Sequence, residues 1–311
     1  MPAADCLDRA SSGHVCVMTN TIETPPELSE GFPAQQQEPP GLTQEMEPVP
    51  DHGETSYRGS GKLNGRKALI TGGDSGIGRA VAIAFAREGA DVAFTHLVEE
   101  KADADETSSL LAPEERTVVA VEADLRTSAA CDKAVQDAVE GLGGLDILVN
   151  NAGFQWAREE GVEEITDDRL DRVLKTNLYS LFWMTRAALP HLGEGSSIIN
   201  TSSIQAYEPS PTLLDYASTK AAINNFTINL AGDLGSRGIR VNAVAPGPIW
   251  TPLQPATQPT EKLAKFGQDT PLGRAGQPAE VAPAFVFLAS QADASYVSGT
   301  VVGVTGGKAV F

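Results

Sequence analysis

Residues Lys67–Ala86 read KALITGGDSGIGRAVAIAFA. The stretch opens on a short β-rich run, Ala68-Leu69-Ile70. It passes through Thr71-Gly72-Gly73-Asp74-Ser75-Gly76-Ile77-Gly78 and continues with Ala80, Val81, Ile83, Ala84 and Phe85 as a helix. A strand, a glycine-rich turn and a helix N-terminus bring unpaired backbone N–H groups and the positive end of a helix dipole to one point. Glycine there lets the backbone approach a pyrophosphate, and in open α/β sheets such a turn lies at the carboxyl ends of the strands, where ligands bind. The spacing is G-x3-G-x-G rather than G-x-G-x-x-G. Glycine turns that only permit tight packing are also common, so the flanking chain must be read with it.

Outward from this turn the pattern alternates. Further β-rich runs are expected at 91–95, 117–121, 145–149, 196–201, 239–245 and 299–305. Amphipathic stretches are expected at 76–88, 129–140, 167–189 and 216–234. Strands alternating with helices imply crossover units and a parallel sheet. Strands rich in Val, Ile and Leu, without polar alternation, fit a sheet covered on both faces. The expectation is a single α/β domain over residues 63–311, with a doubly wound sheet of about seven parallel strands. Residues 1–62 differ: they hold 8 of the 20 Pro and 10 acidic against 3 basic residues. Proline at that density breaks helical and strand periods. The segment reads as an extended Pro/Gln-rich tail. It is either disordered or an arm docked on a neighbouring subunit through Phe32, Tyr57 and the prolines, with Met18 a candidate alternative start.

Composition narrows the function classes. The 311 residues carry a net charge of −18. That argues against a nucleic-acid partner, whose phosphates would be repelled. No run of 18 apolar residues occurs, so no membrane span is expected, and the first residues show no signal-peptide stretch. The three cysteines, Cys6, Cys16 and Cys131, lie far apart. This fits a reducing, cytoplasmic setting rather than a disulfide scaffold. The four histidines show no metal-ligand spacing, so no metal site is expected. His191 reads as a helix-end residue, and 159–164 as a solvated acidic loop or helix start.

Other signals fall at the same sheet edge. Asn150-Asn151-Ala152-Gly153 follows the fourth β-rich run; its small residues suit a flat ligand, or simply a tight turn. Tyr216 and Lys220 stand four apart in a helical stretch and so share a face. An ammonium about 4 Å from the phenol contributes on the order of 4 kcal/mol at an effective dielectric near 20. That would lower the phenol pKa by roughly two to three units, with desolvation working against it. Alone, Y-x3-K is a frequent accident. Here the strand ending at Thr201 leads into Ser202-Ser203, and Asn177 lies in the helical stretch after the fourth strand.

Together, Thr71–Gly78, Asp124, Asn150–Gly153, Asn177, Ser202-Ser203, Tyr216–Lys220 and Pro246-Gly247 resemble the short-chain dehydrogenase/reductase family in order and spacing, over about residues 63–307. Further stretches, Ser203–Tyr207, Leu213–Tyr216, Ala245–Trp250 and Arg274–Pro278, with the leader Phe32–Gly65, are similar to its general-stress and glucose/ribitol-dehydrogenase-like members. The resemblance implies a Rossmann-like fold, a nicotinamide cofactor and a homotetramer. It implies Tyr216 as general acid/base, Lys220 lowering its pKa and holding the nicotinamide ribose, Ser203 orienting the substrate oxygen, and Asn177 anchoring a relay water. The cofactor would lie along Gly72, Asp74, Ser75, Gly76, Ile77 and Gly78. It would then pass His96, Leu97, Asp124 and Leu125, and reach Asn151, Ala152, Gly153, Pro246, Gly247, Ile249 and Thr251.

Cofactor choice is read at the end of the second strand, Thr95-His96-Leu97. No carboxylate sits there for a ribose 2′-OH and no arginine for a 2′-phosphate. Glu99 and Glu100 would repel a phosphate, so NAD is favoured over NADP. Gln155, Trp156, Gln205, Tyr207, Trp250 and Gln254 are expected to overlook the nicotinamide, which suits a small aldehyde, sugar or polyol. The segment 250–270 is expected to be a mobile lid. Two other readings stand beside this one: a reductase of a biosynthetic ketone or 3-oxoacyl thioester, and a nicotinamide-binding stress or scaffold protein with little catalysis.

Overall fold

The seven β-rich runs form one parallel sheet in the computed structural model, which describes residues 31–157 and 161–311. In chain order the elements are β1 (Lys67–Ile70), α1 (Gly76–Arg87), β2 (Asp91–His96), α2 (Lys101–Leu111), β3 (Val118–Glu122), α3 (Ser128–Leu142), β4 (Ile147–Asn150), α4 (Asp167–Leu174), α5 (Ser180–Ala188), β5 (Ser197–Thr201), α6 (Leu214–Leu234), β6 (Arg240–Pro246), α7 (Leu253–Thr257), α8 (Thr260–Leu263), α9 (Pro278–Ala289) and β7 (Val301–Val304). The strand order is β3-β2-β1-β4-β5-β6-β7. It reverses between β1 and β4, and the crevice at the carboxyl ends of those two strands is where such sheets bind ligands.

Every residue of β4, β5 and β6 is buried, whereas the edge strands β3 and β7 are partly exposed. Central strands covered on both faces need no polar alternation, which explains their continuous apolar sequence. One face packs against α1 and α9 through Val81, Phe85, Val281 and Phe285. The other packs against α3 and α5 through Cys131, Val135 and Met184. Arg240, buried in β6, donates from Nη1 to Leu288 O at 2.6 Å and from Nη2 to Ala289 O at 3.3 Å. It thereby satisfies carbonyls that the end of α9 leaves without intrahelical partners.

Two departures from the sequence reading matter. The expected helix 167–189 is interrupted by a π-helical turn at Lys175–Tyr179. The tail, over residues 31–62, is docked on the domain of its own chain. Phe32 stacks on Trp250, and the Tyr57 hydroxyl donates to Glu88 Oε1 at 2.6 Å. Cys6, Cys16, Met18 and the acidic residues at 159–160 lie outside the described residues, while Cys131 is buried and free. Among the described residues no helix is long and apolar enough to cross a membrane, and no group of three His, Cys, Asp or Glu could hold a metal.

Phe285 is fully buried between α9 and the sheet. Phe285→Ala should lower the unfolding free energy by about 3–5 kcal/mol, the usual range for a phenylalanine deleted from a core, read as a shifted urea midpoint with unchanged m-value.

Candidate active site

A cleft of about 890 Å³ runs along the carboxyl edge of the sheet, from His96–Glu100 past the glycine turn to Tyr216 and Lys220. Its floor is made by close backbone approach. Gly72 (φ +62°) and Gly76 (φ +50°) adopt the left-handed conformation that other residues rarely take. The Ser75 side chain makes no capping hydrogen bond, so the first N–H groups of α1 remain available to an anion. Gly72 N donates to Thr95 Oγ1 at 3.0 Å. The Thr71 hydroxyl oxygen accepts from Asn151 N at 2.8 Å and Ala152 N at 2.9 Å, and Asn151 Nδ2 donates to Gly72 O at 3.0 Å. These bonds lock the turn after β1 to the turn after β4.

At the deep end, Tyr216 and Lys220 are both buried on one face of α6. The Lys220 ammonium donates to Thr201 O at 2.8 Å and lies 5.4 Å from the centre of the Tyr216 ring. The first turn of α6 is pinned by Arg169, whose Nε and Nη2 reach Asp215 at 2.7 and 3.0 Å. Burial pushes the Tyr216 phenol up to about 12, while its hydrogen bond with Ser203 works in the opposite direction. Burial also pulls Lys220 down to about 7. The lowering of the phenol expected from Lys220 is not found: desolvation, which penalises phenolate and ammonium alike, raises it, and only the Ser203 hydrogen bond opposes that rise.

Asn177 sits in the π-helical turn and is buried behind the cleft. Its Oδ1 accepts from Phe154 N at 2.7 Å, and its Nδ2 donates to Phe154 O at 2.8 Å and Thr219 Oγ1 at 3.1 Å. Thr219 in turn donates to Tyr216 O at 2.6 Å. Both Asn177 Oδ1 and Lys220 Nζ would lie 3.7 Å from a Cβ placed on Gly153, so they face the same small space.

Residues 72–309 match the family model described as Enoyl-(Acyl carrier protein) reductase. General stress protein 39 of Bacillus subtilis is 51% identical, over 90% of this chain and 97% of that protein. NADPH-dependent aldehyde reductase 1, chloroplastic, of Arabidopsis thaliana is 49% identical over 87% and 96%, and the glucose and ribitol dehydrogenase of Daucus carota 49% over 90% and 97%. The chain belongs to the short-chain dehydrogenase/reductase family. Among solved members, a short-chain dehydrogenase from Burkholderia cenocepacia in complex with NADP has a TM-score of 0.73 and 35% identity, over 79% of this chain and 99% of that one. The 3-ketoacyl-(acyl-carrier-protein) reductase of Brucella melitensis, complexed with NADH, has a TM-score of 0.71 and 33% identity, over 80% and 100%. The family's nicotinamide dinucleotide fits the residues present: the α1 N-terminus is open, and a Cβ on Gly72 or Gly76 would crowd Ala152 or Thr251 to within 3.2 Å.

The structure brings most of the sequence-named positions together along one cleft. Gly72, Asp74, Ser75, Gly76, Ile77, His96, Leu97, Asp124, Leu125, Asn151, Ala152, Gly153, Pro246, Gly247, Ile249 and Thr251 line the cleft with Ser203, Tyr216 and Lys220. Gly78 does not line it. It packs against the turn from below, where a Cβ would lie 1.9 Å from Gly72 O. Of the expected substrate wall, Gln155, Gln205 and Gln254 line the cleft, and Gln155 Nε2 donates to Thr257 Oγ1 at 3.2 Å. Trp250 is corrected: it is fully buried beneath the arm, its ring 3.7 Å from Phe32 and its Nε1 donating to Pro48 O. Trp156 and Tyr207 are not among the lining residues; Trp156 stacks on Phe154 instead. The sequence reading missed Pro39 and Pro40 of the arm and Arg126 and Arg172, which also line the cleft. Arg126 forks onto Asp124, an i+2 pair legible in sequence, whereas Arg172 reaches the cleft from α4 across the Phe154 ring.

Two outcomes test this geometry. Gly78→Ala should weaken dinucleotide binding at least about tenfold by displacing Gly72, measured by titration, at a stability cost of about 1–3 kcal/mol for overpacking. Lys220 gives up its proton in the folded state near pH 7 but at 10.5 when free. Between those values the unfolded chain binds more protons, so this group makes stability rise with pH from about 7 to 10. Lys220→Met should flatten that rise in thermal unfolding at pH 7 and pH 9.5.

Proposed function

We propose that this reductase-family enzyme interconverts a carbonyl and an alcohol on a small aldehyde, sugar or polyol, with Tyr216 as general acid/base. The observation that carries the reading is the buried Tyr216–Ser203–Lys220 cluster at the deep end of a cleft whose other wall is an uncapped helix N-terminus. When bound, the nicotinamide supplies or accepts the hydride. The protein positions the partners and handles the proton.

Of the cleft-lining residues, Gly72, Ser75, Gly76 and Ile77 would hold the pyrophosphate; Asn151, Ala152 and Gly153 would lie along the cofactor; Pro246, Gly247, Ile249 and Thr251 would bound the nicotinamide end; Asp124 and Leu125 would receive the adenine. Burial keeps the phenol protonated and so present as a donor, but weakens it as an acid; transfer to a carbonyl oxygen relies on the charge that oxygen gains during reaction. Lys220, close to half protonated near neutrality, would hold the nicotinamide ribose and offset phenolate charge when the reaction runs toward the ketone or aldehyde. Ser203 orients the substrate oxygen. Asn177, clamped on Phe154 and Thr219, fixes the helix that carries Tyr216 and faces the space beside Gly153 where a relay water would sit. Gln155, Gln205 and Gln254 give the substrate amide donors and acceptors suited to hydroxyl groups.

NAD is the favoured cofactor. Burial holds Asp74 and Glu100 above the usual carboxylate range, and Asp74 Oδ2 is buried without a hydrogen-bond partner. Carboxyls held largely protonated there can exchange hydrogen bonds with ribose hydroxyls and supply no positive charge to a 2′-phosphate. Arg79, the arginine nearest the turn in sequence, is buried and engaged by Asp103 and Glu106. NADP is the second reading, favoured by the name of the Arabidopsis relative and by the Burkholderia complex. Exposed Tyr179, Phe182, Leu214 and Ile228 on the α4–α5 and α6 surface support a homotetramer. A small-molecule substrate, with no nucleic-acid or membrane partner, and a cytoplasmic setting complete the proposal.

Tyr216→Phe should reduce kcat by about 10²–10⁴-fold with cofactor binding retained. Unchanged turnover of an aldehyde that the native enzyme reduces would sink the assignment. Comparison of kcat/KM for NADH and NADPH should favour NADH, and a tenfold preference for NADPH reverses the cofactor choice. Light scattering should give about four times the chain mass.

A further inference from the structure

Residues 31–50 do more than cover apolar surface. Their far part is tied to the segment that begins at Trp250, which the sequence suggests is a lid. Phe32 stacks on Trp250 with ring planes within 5°, Trp250 Nε1 donates to Pro48 O at 2.7 Å, and Gln37 N donates to Pro255 O at 3.1 Å. Gly41 lies so close that a Cβ would come within 2.8 Å of Pro252 O. The next residues reach the opposite side of the cleft. Thr43 donates from both its backbone N and its hydroxyl to Asp103 Oδ2 at 2.9 Å. Asp103 Oδ1 lies 3.3 Å from Arg79 Nη2, and Arg79 Nε donates to Asp74 O at 2.7 Å. Pro39 and Pro40, between these two attachments, form part of the cleft wall. The lid lies directly on the pyrophosphate turn, since a Cβ on Gly76 would sit 3.1 Å from Thr251 Cγ2. Lifting the lid therefore means breaking the arm's contacts with it. The arm is also anchored independently, away from the cleft, by Tyr57 on Glu88 and by Arg87 on the carbonyls of Gly53, Glu54 and Tyr57.

We propose that the arm is a strap that holds the lid down across the glycine turn and sets the rate at which the dinucleotide leaves. Phe32 and Thr43 are its positioning residues, acting through Trp250 and Asp103 on the two sides of the cleft. The arm lies outside the span 72–309 that matches the family model, while the match to General stress protein 39, over 90% of this chain, reaches into it. The inference rests on the reading that the cleft takes a nicotinamide dinucleotide.

The test uses the full-length protein. Release of NADH or NADPH, whichever binds, is followed by stopped-flow nicotinamide fluorescence, and amide exchange of residues 250–257 is measured without cofactor. Phe32→Ala should speed release at least about fivefold, the scale set by loss of an aromatic stack, and should speed exchange in the lid. Thr43→Val should do the same to a lesser degree. Tyr57→Phe, which loosens the arm's remote anchor, should change neither. An unchanged release rate in Phe32→Ala overturns the strap whatever the exchange shows, as does an equal rise in Tyr57→Phe. Should Phe32→Ala fail to fold, Phe32→Leu with Thr43→Val replaces it under the same criteria. If the native protein binds neither reduced cofactor, the dinucleotide reading itself falls, and the strap with it.

Discussion

The close approach of two backbone turns, after β1 and after β4, is the constraint on which the site depends. Gly72 can turn left-handed and Gly78 can lie beneath it only because neither carries a Cβ. The Thr71 hydroxyl and the Asn151 amide then fasten the two turns together across the point where the strand order reverses. Without that contact the N-terminus of α1 would have no concave partner, and its unpaired N–H groups would face open solvent rather than a cleft. The parallel sheet matters because it brings every strand's carboxyl end to this one edge.

Desolvation governs the chemistry at the deep end. Tyr216 and Lys220 are both buried, so each favours its neutral form, and the pair stores opposition to charge separation until something in the cleft compensates it. Such a pair is poised rather than pre-ionised. A charge arising beside it in the cleft would shift that balance. Arg169–Asp215 on one side and Asn177–Thr219 on the other hold α6 so that this pair keeps its spacing.

Much of this was legible in the chain. The run Thr71–Gly78 between an apolar strand and an apolar helix marks the cradle, and Y-x3-K acquires meaning beside Ser202-Ser203, because spacing along a helix and position at a strand end are local properties. Trp250 was misplaced by the same logic: sequence proximity to Pro246-Gly247 suggested the cleft, but an indole finds more apolar area against Phe32, 218 positions away. Gly78 belongs to the motif yet supports the turn from below. Asn177 points inward because a π-helical turn shifts the register of the long helix, which residue spacing does not reveal. The arm was readable as proline-rich and coreless, but not where it rests.

Sequence by itself determined the alternation of strands and helices, the glycine turn and the identities of the tyrosine, lysine and serine, since each depends on neighbours within a few residues. Only the tertiary structure decided which glutamines meet in the cleft, that burial raises the phenol rather than lowering it, and that the tail folds back over the segment that begins at Trp250. Those outcomes depend on contacts between segments far apart in the chain and on how much water is excluded where they meet, and neither is written in local spacing.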